Sequence, residues 1–143
     1  MSSNRTPVSV RVGEAPEIQA FLADRIYEFN SKTTGLFDGE TFSATQTDAS
    51  NAIRAGIYGY TWGGCCYIAY LWVDEADRRK GAGTALMRAA EEHAKTKGCS
   101  ILLLATHSFQ APAFYESLGY EQQAVLHDHP VGHASLYFAK RLA

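Results

Sequence analysis

Two apolar runs separated by one helical segment constrain this 143-residue chain more than any other feature. Cys65 to Val73 and Ile101 to Ala105 are almost continuously apolar or aromatic, which is typical of strands buried on both faces. Between them, Thr84 to Lys97 carries apolar residues at helical spacing, and Gly98 is a natural stop for that helix. A buried strand, a helix and a second buried strand in this order predict a βαβ crossover within one sheet.

The flanking segments predict further strands and two more helices, which together indicate a mixed α/β sheet with helices on both faces. Val8, Val10 and Val12 alternate with polar residues, which predicts a short first strand. The other predicted elements are a helix over Ala15 to Asn30, strands over Thr41 to Thr47 and Ala52 to Trp62, a hairpin turn at Gly63-Gly64, a short helix from Phe109 to Leu118 with Ser108 as its N-cap, and strands over Tyr120 to Val125 and Ser135 to Lys140.

Composition narrows the class of protein. With 46% hydrophobic and 12% aromatic residues, the chain is expected to fold as a single domain over residues 1–143. Its net charge of −2 provides no basic field for nucleic acid or an anionic membrane. Three cysteines, two of them adjacent, favour a reducing compartment over a disulfide framework. Because no apolar run could span a bilayer and Met1 to Pro7 is polar, we expect a soluble cytoplasmic protein.

The stretch Leu71 to Thr84, LWVDEADRRKGAGT, carries the clearest functional pattern. A buried strand ends near Val73, and Gly81 and Gly83 stand where the next helix begins. Such a junction directs unpaired backbone N–H groups and the positive end of the helix dipole at one point, and glycines leave room for an anion. The pattern therefore predicts a phosphate or pyrophosphate ligand, against the alternative of a glycine-containing loop with a solvated basic tip. Three basic side chains would assist: Arg78, Arg79 and Lys80.

Two common phosphate loops do not match this spacing. A nucleotide triphosphatase loop needs a Lys-Ser/Thr pair directly after its last glycine, but Gly83 is followed by Thr84-Ala85. A dinucleotide fingerprint needs a third glycine where this chain has Leu86. Neither ligand class is therefore expected.

The remaining pattern, Arg78-x-x-Gly81-x-Gly83, resembles the pyrophosphate loop of the GNAT superfamily of acetyl-CoA-dependent N-acetyltransferases. Upstream, Leu71-Trp72-Val73 resembles the family's strand entering that loop. Downstream, Ala111 to Tyr120, APAFYESLGY, resembles the family's A-x-x-F-Y-x-x-x-G-F/Y segment. The match runs over residues 61–120 and leaves room between the motifs for one helix and one strand. It implies a central mixed, mostly antiparallel sheet of six to seven strands, with helices on both faces.

The resemblance also implies roles for individual groups. The backbone N–H of Leu71 would hold the thioester carbonyl of acetyl-CoA, and Val73 would hydrogen-bond the pantetheine arm. Tyr115 matches the family tyrosine that protonates the departing thiolate, and a phenol with a pKa of about 10 suits that task. The alternative is a core tyrosine between Phe114 and Leu118. The implied cofactor-binding set is Leu71, Trp72, Val73, Arg78, Arg79, Lys80, Gly81, Ala82, Gly83, Thr84, Ser108 and Ala111.

The general base is left open by the sequence. Tyr67 stands where some family members carry a glutamate, so that role does not transfer. Glu28, Asp128, His129 or a water chain could serve instead. The acceptor is expected to be a primary amine of a small molecule or peptide, attracted by acidic and aromatic side chains. The substrate-side candidates are Tyr27, Glu28, Trp62, Asp128 and His129.

The sequence allows three other interpretations besides an enzyme with a tyrosine acid. A non-catalytic, coenzyme A-binding or regulatory domain is the main alternative, because the glutamate is missing. Histidines at 127, 129 and 133 lack the spacing of a known metal site, so no metal is expected. Cys65, Cys66 and Cys99 lie in or beside apolar segments and are interpreted as small core residues rather than nucleophiles. A homodimer is compatible with the resemblance.

Overall fold

The computed structural model describes residues 6–143, which form two compact units, residues 6–35 and 36–143. The first unit contains helix α1 (Pro16–Thr34), which has proline in its first turn. It ends where Gly35 adopts a left-handed conformation with φ 77° and donates its N–H to Ser31. The predicted helix is therefore confirmed and extends four residues further than expected.

The first predicted strand is wrong. Val8, Val10 and Val12 lie in a segment without regular secondary structure and are almost fully exposed. Alternating valines favour an extended chain, but a strand also needs a neighbour to accept its hydrogen bonds, and the pattern carries no information about one. The polar stretch Met1 to Pro7 extends into residues 1–5, which lie outside the described residues.

Six strands form one sheet in the second unit. The elements of this unit are β1 (Glu40–Thr47), β2 (Ile53–Trp62), β3 (Cys65–Val73), α2 (Ala82–Thr96), β4 (Ile101–His107), α3 (Pro112–Ser117), β5 (Glu121–His127) and β6 (Ala134–Arg141). The strand order is β1-β2-β3-β4-β6-β5, with β3 and β4 parallel and the other four pairings antiparallel. Because α2 connects β3 to β4, the predicted crossover and the mixed, mostly antiparallel sheet are confirmed. Coverage of both sheet faces by helices stays a prediction.

Helix α2 packs its apolar stripe on one face of the sheet. Leu86, Met87 and Ala90 are buried against that face, together with the inward side chains of the central strands. The buried side chains of β2, β3 and β4 on this face are Ala55, Ile57, Cys66, Ile68, Leu102 and Leu104. Tyr70 and Trp72 point to the other face and are 74% and 49% exposed. The prediction that β3 is buried on both faces is therefore wrong for its second half.

A buried polar cluster connects α2 to β6, the strand that pairs with β4 on the side away from β3. The Glu91 carboxylate, 4% exposed, accepts a hydrogen bond from the Tyr120 hydroxyl at 2.7 Å and one from Arg88 at 2.9 Å. The Lys140 ammonium on β6 lies 3.2 Å from the same carboxylate. Burial would raise the pKa of Glu91, but the hydrogen bonds from Tyr120, Arg88 and Lys140 outweigh it and lower that pKa. The carboxylate is therefore charged, and it connects α2 to β6 and to Tyr120, which directly precedes β5.

We expect Tyr120→Phe to lower the free energy of unfolding by about 1.5–3 kcal/mol, because it removes a buried donor to a charged acceptor. Tyr137→Phe is the matched control, since Tyr137 lies on β6 with 39% exposure and makes no hydrogen bond among the described residues. It should change stability by less than about 0.5 kcal/mol. Urea denaturation of both variants measures the difference. Equal midpoints for the two would contradict the structural role of the cluster.

Candidate active site

The two parallel strands separate halfway along their length. Pairing between β3 and β4 runs from Cys65 opposite Ile101 to Ile68 opposite Leu104, and β3 then continues to Val73 with β2 beside it. The separation creates a cleft of about 980 Å³. Its lining residues are Ala69 to Val73, Asp77, Arg78, Arg79, Gly81 to Thr84, Ala105, Thr106, Phe109, Gln110, Ala111, Phe114 and Tyr115. The sequence-predicted loop, strand end and tyrosine thus share one cleft.

Main-chain N–H groups of β3 face this cleft. The Asp74 N–H donates to the Arg54 carbonyl on the β2 side at 2.8 Å. Because successive residues of a strand direct their polar main-chain groups to opposite edges, the N–H groups of Leu71 and Val73 point away from β2 and toward the separation. The Val73 carbonyl confirms that direction, since it accepts from the Arg78 side chain at 3.2 Å.

The loop and the start of α2 present a second row of donors. Gly81 is the N-cap in a left-handed conformation with φ 86°, and the first helical bond runs from Ala85 N–H to its carbonyl at 3.0 Å. The N–H groups of residues 82–84 therefore precede the hydrogen-bonded part of the helix. Within residues 6–143, no acceptor contacts any main-chain N–H of residues 79–84. This arrangement fits an anion at the positive end of the helix dipole.

The two loop glycines act for different reasons. A side chain at Gly81 would meet nothing within 4 Å, so this glycine is needed for its positive φ and its open approach. A Cβ at Gly83 would lie 3.1 Å from the Phe114 ring of α3. Gly83 therefore allows close packing of α2 on α3, a role that the glycine pattern alone did not indicate.

Arg54 on β2 anchors the loop, and sequence reasoning missed it. Its guanidinium donates to the Asp77 carboxylate at 2.7 Å and to the Asp74 carboxylate at 3.4 Å. These contacts join residues 20 and 23 positions apart, so no local signal could have shown them. Arg78, which was predicted to bind the cofactor, uses its Nε atom to hold the end of β3.

Tyr115 on α3 lines the cleft although its ring is mostly buried. The ring packs against Phe114 at 5.0 Å, Tyr120 at 6.2 Å and Phe138 at 6.2 Å between centroids. Burial raises the pKa of Tyr115, so the phenol keeps its proton at neutral pH. Among the described residues, the Tyr115 hydroxyl has no hydrogen-bond partner. The residue is thus both a core ring and a free donor.

Ser108 does not cap the short helix, so that prediction is wrong. Helix α3 begins at Pro112, and its N-cap is Ala111 without a side-chain hydrogen bond. The Ser108 hydroxyl instead accepts from the Ala134 N–H at 3.0 Å and joins the end of β4 to β6. Ala111 lines the cleft, whereas Ser108 does not. Gln110, which sequence reasoning missed, lines it and accepts from the His107 N–H at 2.7 Å.

The substrate-side candidates fall in different parts of the chain. Trp62 ends β2 opposite Cys65, the first residue of β3, which is about 26 Å along that strand from Val73, so the structure does not bring Trp62 to the cleft. Its indole N–H donates to the Leu36 carbonyl at 3.0 Å. Tyr27 and Glu28 belong to α1 in the first unit, where Glu28 pairs with Lys32 at 2.8 Å.

Asp128 and His129 lie in the turn between β5 and β6. The Asp128 carboxylate accepts from the Gly132 N–H at 3.3 Å, and the Asp128 N–H donates to the His133 carbonyl at 2.8 Å. His129 reaches Ser135 on β6 and, through it, the end of β4. Of the three substrate-side candidates within residues 36–143, the structure therefore connects His129 to the cleft most directly.

Neither a metal site nor a reactive thiol is evident among the described residues. Residues 6–143 contain no group of three or more His, Cys, Asp or Glu side chains placed to hold a metal ion. Burial raises the pKa of Cys66 to about 12 and also raises the pKa of Cys99, so both thiols stay protonated. Cys65 is exposed at the hairpin end, so its interpretation as a core residue is wrong.

Comparison with known proteins identifies the family. Residues 19–120 match the model of the acetyltransferase (GNAT) family. The chain is 31% identical over 104 residues to a blasticidin-S acetyltransferase of Streptomyces morookaense, covering 72% of this chain and 76% of that protein. The chain is therefore a GNAT acetyltransferase, as the loop and tyrosine motifs indicated.

Solved structures show the same fold. An acetyltransferase from Bacillus cereus superimposes with a TM-score of 0.80 at 33% identity, over 94% of this chain and 98% of that one. An aminoglycoside 6′-N-acetyltransferase complexed with coenzyme A superimposes with a TM-score of 0.66 at 16% identity, over 92% and 96% of the two chains. The acyl donor of the present chain, as a GNAT acetyltransferase, is acetyl-CoA. Within residues 6–143, no helix is long and apolar enough to cross a membrane.

Proposed function

We propose that the protein transfers the acetyl group of acetyl-CoA to a primary amine of a small molecule, by direct attack within a ternary complex. One observation carries this proposal: unpaired main-chain donors and a protonated, unpartnered tyrosine line the same cleft. The main-chain donors suit a ligand that contains a thioester and a pyrophosphate. The protonated tyrosine suits the departure of a thiolate. The two together match acyl transfer rather than binding alone.

Bound acetyl-CoA supplies an acetyl group activated as a thioester. The Leu71 N–H is assigned to the thioester carbonyl, where it would stabilise negative charge that develops on oxygen, and the Val73 N–H is assigned to the pantetheine arm. The N–H groups of residues 79–84 and the Thr84 hydroxyl would hold the pyrophosphate. Arg79 adds positive charge at this end of the cleft.

Tyr115 is assigned as the general acid. Its hydroxyl lies free in the cleft, and burial keeps it protonated at neutral pH. A departing thiolate would accept that proton as the carbon–sulfur bond breaks, because coenzyme A is released mainly as the thiol at neutral pH. Rings of α3 and the strands fix the phenol, so its orientation is established before reaction.

A small-molecule acceptor is supported by the relative from Streptomyces morookaense, which is named for acetylation of blasticidin S. That protein shares 31% identity with this chain over most of both lengths. Blasticidin S is therefore the first acceptor to assay, followed by a panel of primary amines that includes polyamines, amino acids and aminoglycosides.

We expect Gly81→Ala to weaken coenzyme A binding by about tenfold, or ~1.4 kcal/mol, because its Cβ would project into the open approach of the pyrophosphate. Gly98→Ala is the matched control. Both glycines have positive φ and nothing within 4 Å of an added Cβ, so both variants carry a similar backbone cost of about 1–2 kcal/mol. Isothermal titration with coenzyme A measures the difference. Equal weakening in both variants would contradict the assignment of the loop.

We expect Tyr115→Phe to lower kcat by about 100-fold or more while the Kd for coenzyme A stays unchanged, because only the proton donor is lost. Release of free thiol from acetyl-CoA in the presence of blasticidin S and the amine panel is the assay. Tyr137→Phe again serves as the control. Tight coenzyme A binding without thiol release by the wild type on any amine would favour a regulatory coenzyme A-binding domain instead.

A further inference from the structure

Three polar side chains meet where β4 ends, beside the cleft. The Ser135 hydroxyl, only 3% exposed as a residue, lies 3.0 Å from His107 Nδ1 and 2.8 Å from His129 Nδ1. The His129 backbone carbonyl lies 3.1 Å from His107 Nδ1 and also 3.1 Å from the Ser135 hydroxyl. These atoms come from β4, from β6 and from the turn before β6, so sequence spacing could not have revealed the cluster.

The pattern of donors and acceptors determines the tautomer of the His107 ring. A carbonyl oxygen can only accept, so the His129 carbonyl requires a proton on His107 Nδ1. The Ser135 hydroxyl lies within reach of the same carbonyl, to which it donates, and of Nδ1 of both rings. The opposite assignment would place a bare His107 Nδ1 lone pair 3.1 Å from the carbonyl oxygen, which is repulsive. Neutral His107 therefore carries its free lone pair on Nε2.

The His107 ring contacts a side chain that lines the cleft. Its ring stacks on the Phe109 ring with centroids 5.2 Å apart and planes 8° apart, and Phe109 lines the cleft. The two residues before it on β4, Ala105 and Thr106, line the same cleft. Its N–H donates to the Gln110 side chain, which fixes the backbone at this point. Among the described residues, His107 Nε2 has no partner and is not enclosed.

We propose that His107 Nε2 is the general base that accepts a proton from the ammonium form of the acceptor. This inference rests on the proposed acetyl transfer. Two neighbours are weaker candidates: His129 lies in the turn between β5 and β6 with its Nδ1 at Ser135, and no ring nitrogen of His133 is oriented by a hydrogen bond among the described residues. Of these three histidines, His107 combines a fixed tautomer, an open lone pair and a position on a strand that lines the cleft.

The proton balance of the reaction assigns one step to each side chain. An ammonium acceptor loses two protons overall, one before its nitrogen attacks and one after the carbon–nitrogen bond has formed. His107 takes the first through Nε2 and releases it to solvent. The carbon–sulfur bond breaks with its electron pair on sulfur, and Tyr115 gives that sulfur its proton. Tyr115 then regains a proton from the new amide nitrogen, so one coenzyme A thiol, one amide and one proton are formed.

We expect His107→Gln to lower kcat on the best amine of the panel by about 100-fold or more, with an unchanged Kd for coenzyme A. His127→Gln is the matched control, because His127 is exposed at the end of β5 and its side chain makes no hydrogen bond, ion pair or ring contact among the described residues. Added imidazole should restore part of the activity of His107→Ala, since a small diffusible base replaces the lost one. Full activity of His107→Gln would overturn the assignment, and so would a loss in His107→Ala that imidazole does not relieve.

A second test needs no acyl donor or acceptor. Two-bond proton–nitrogen correlation spectra of the ligand-free, nitrogen-15-labelled protein report which ring nitrogen of each histidine carries the proton. We expect His107, assigned by its absence in His107→Gln, to be protonated at Nδ1 when neutral. A neutral His107 protonated at Nε2 would overturn the proposal even if transfer is confirmed. An inactive wild-type protein with the expected pattern would instead remove the proposed function, and the base assignment with it.

Discussion

The separation of β3 from β4 is the constraint on which the rest of the site depends. Up to Ile68 and Leu104 the two strands satisfy each other's main-chain groups, and beyond that point β3 has a partner on the β2 side. The Leu71 and Val73 N–H groups are consequently left for another acceptor. An unmet main-chain group costs about 1–3 kcal/mol when it is buried, so this cleft is stable only if water or a ligand enters it. The unpaired N–H groups in the middle of the sheet therefore form a binding site for a ligand.

Long-range contacts hold this geometry open. Arg54 binds the two aspartates that lead into the loop, and the Glu91 cluster fixes α2 to β6 and to the start of β5. The donors of residues 79–84 are therefore oriented before any ligand arrives, and no reorganisation is required during reaction. Tyr115 belongs to the same rigid arrangement through its packing against Phe138. Catalysis on this account is mainly a matter of position.

The sequence predicted the elements whose signals are local. The apolar run from Cys65 to Val73 is so continuous that the predicted bounds of β3 agree with the structure, and α2 begins two residues before its predicted start because Gly81 caps it. The family motifs placed the loop and the tyrosine in one cleft. The N-cap prediction was wrong, because Ser108 bonds to the distant strand β6 instead of capping α3, and Trp62 lies at the turn end of β2, away from the cleft. The meeting of His107 with Ser135 likewise depends on the register of β6 beside β4, which no local pattern encodes.

Main-chain hydrogen exchange measures whether the separated strand and the loop hold coenzyme A. Exchange of individual backbone amides, followed by NMR with and without coenzyme A, reports which N–H groups acquire an acceptor when the ligand binds. We expect slowed exchange at residues 71 and 73 and across residues 79–84, with no change at Gly98 or at the hairpin turn of Gly63 and Gly64. If saturating coenzyme A left the exchange of these amides unchanged, the separated strand and the loop would not be its binding site.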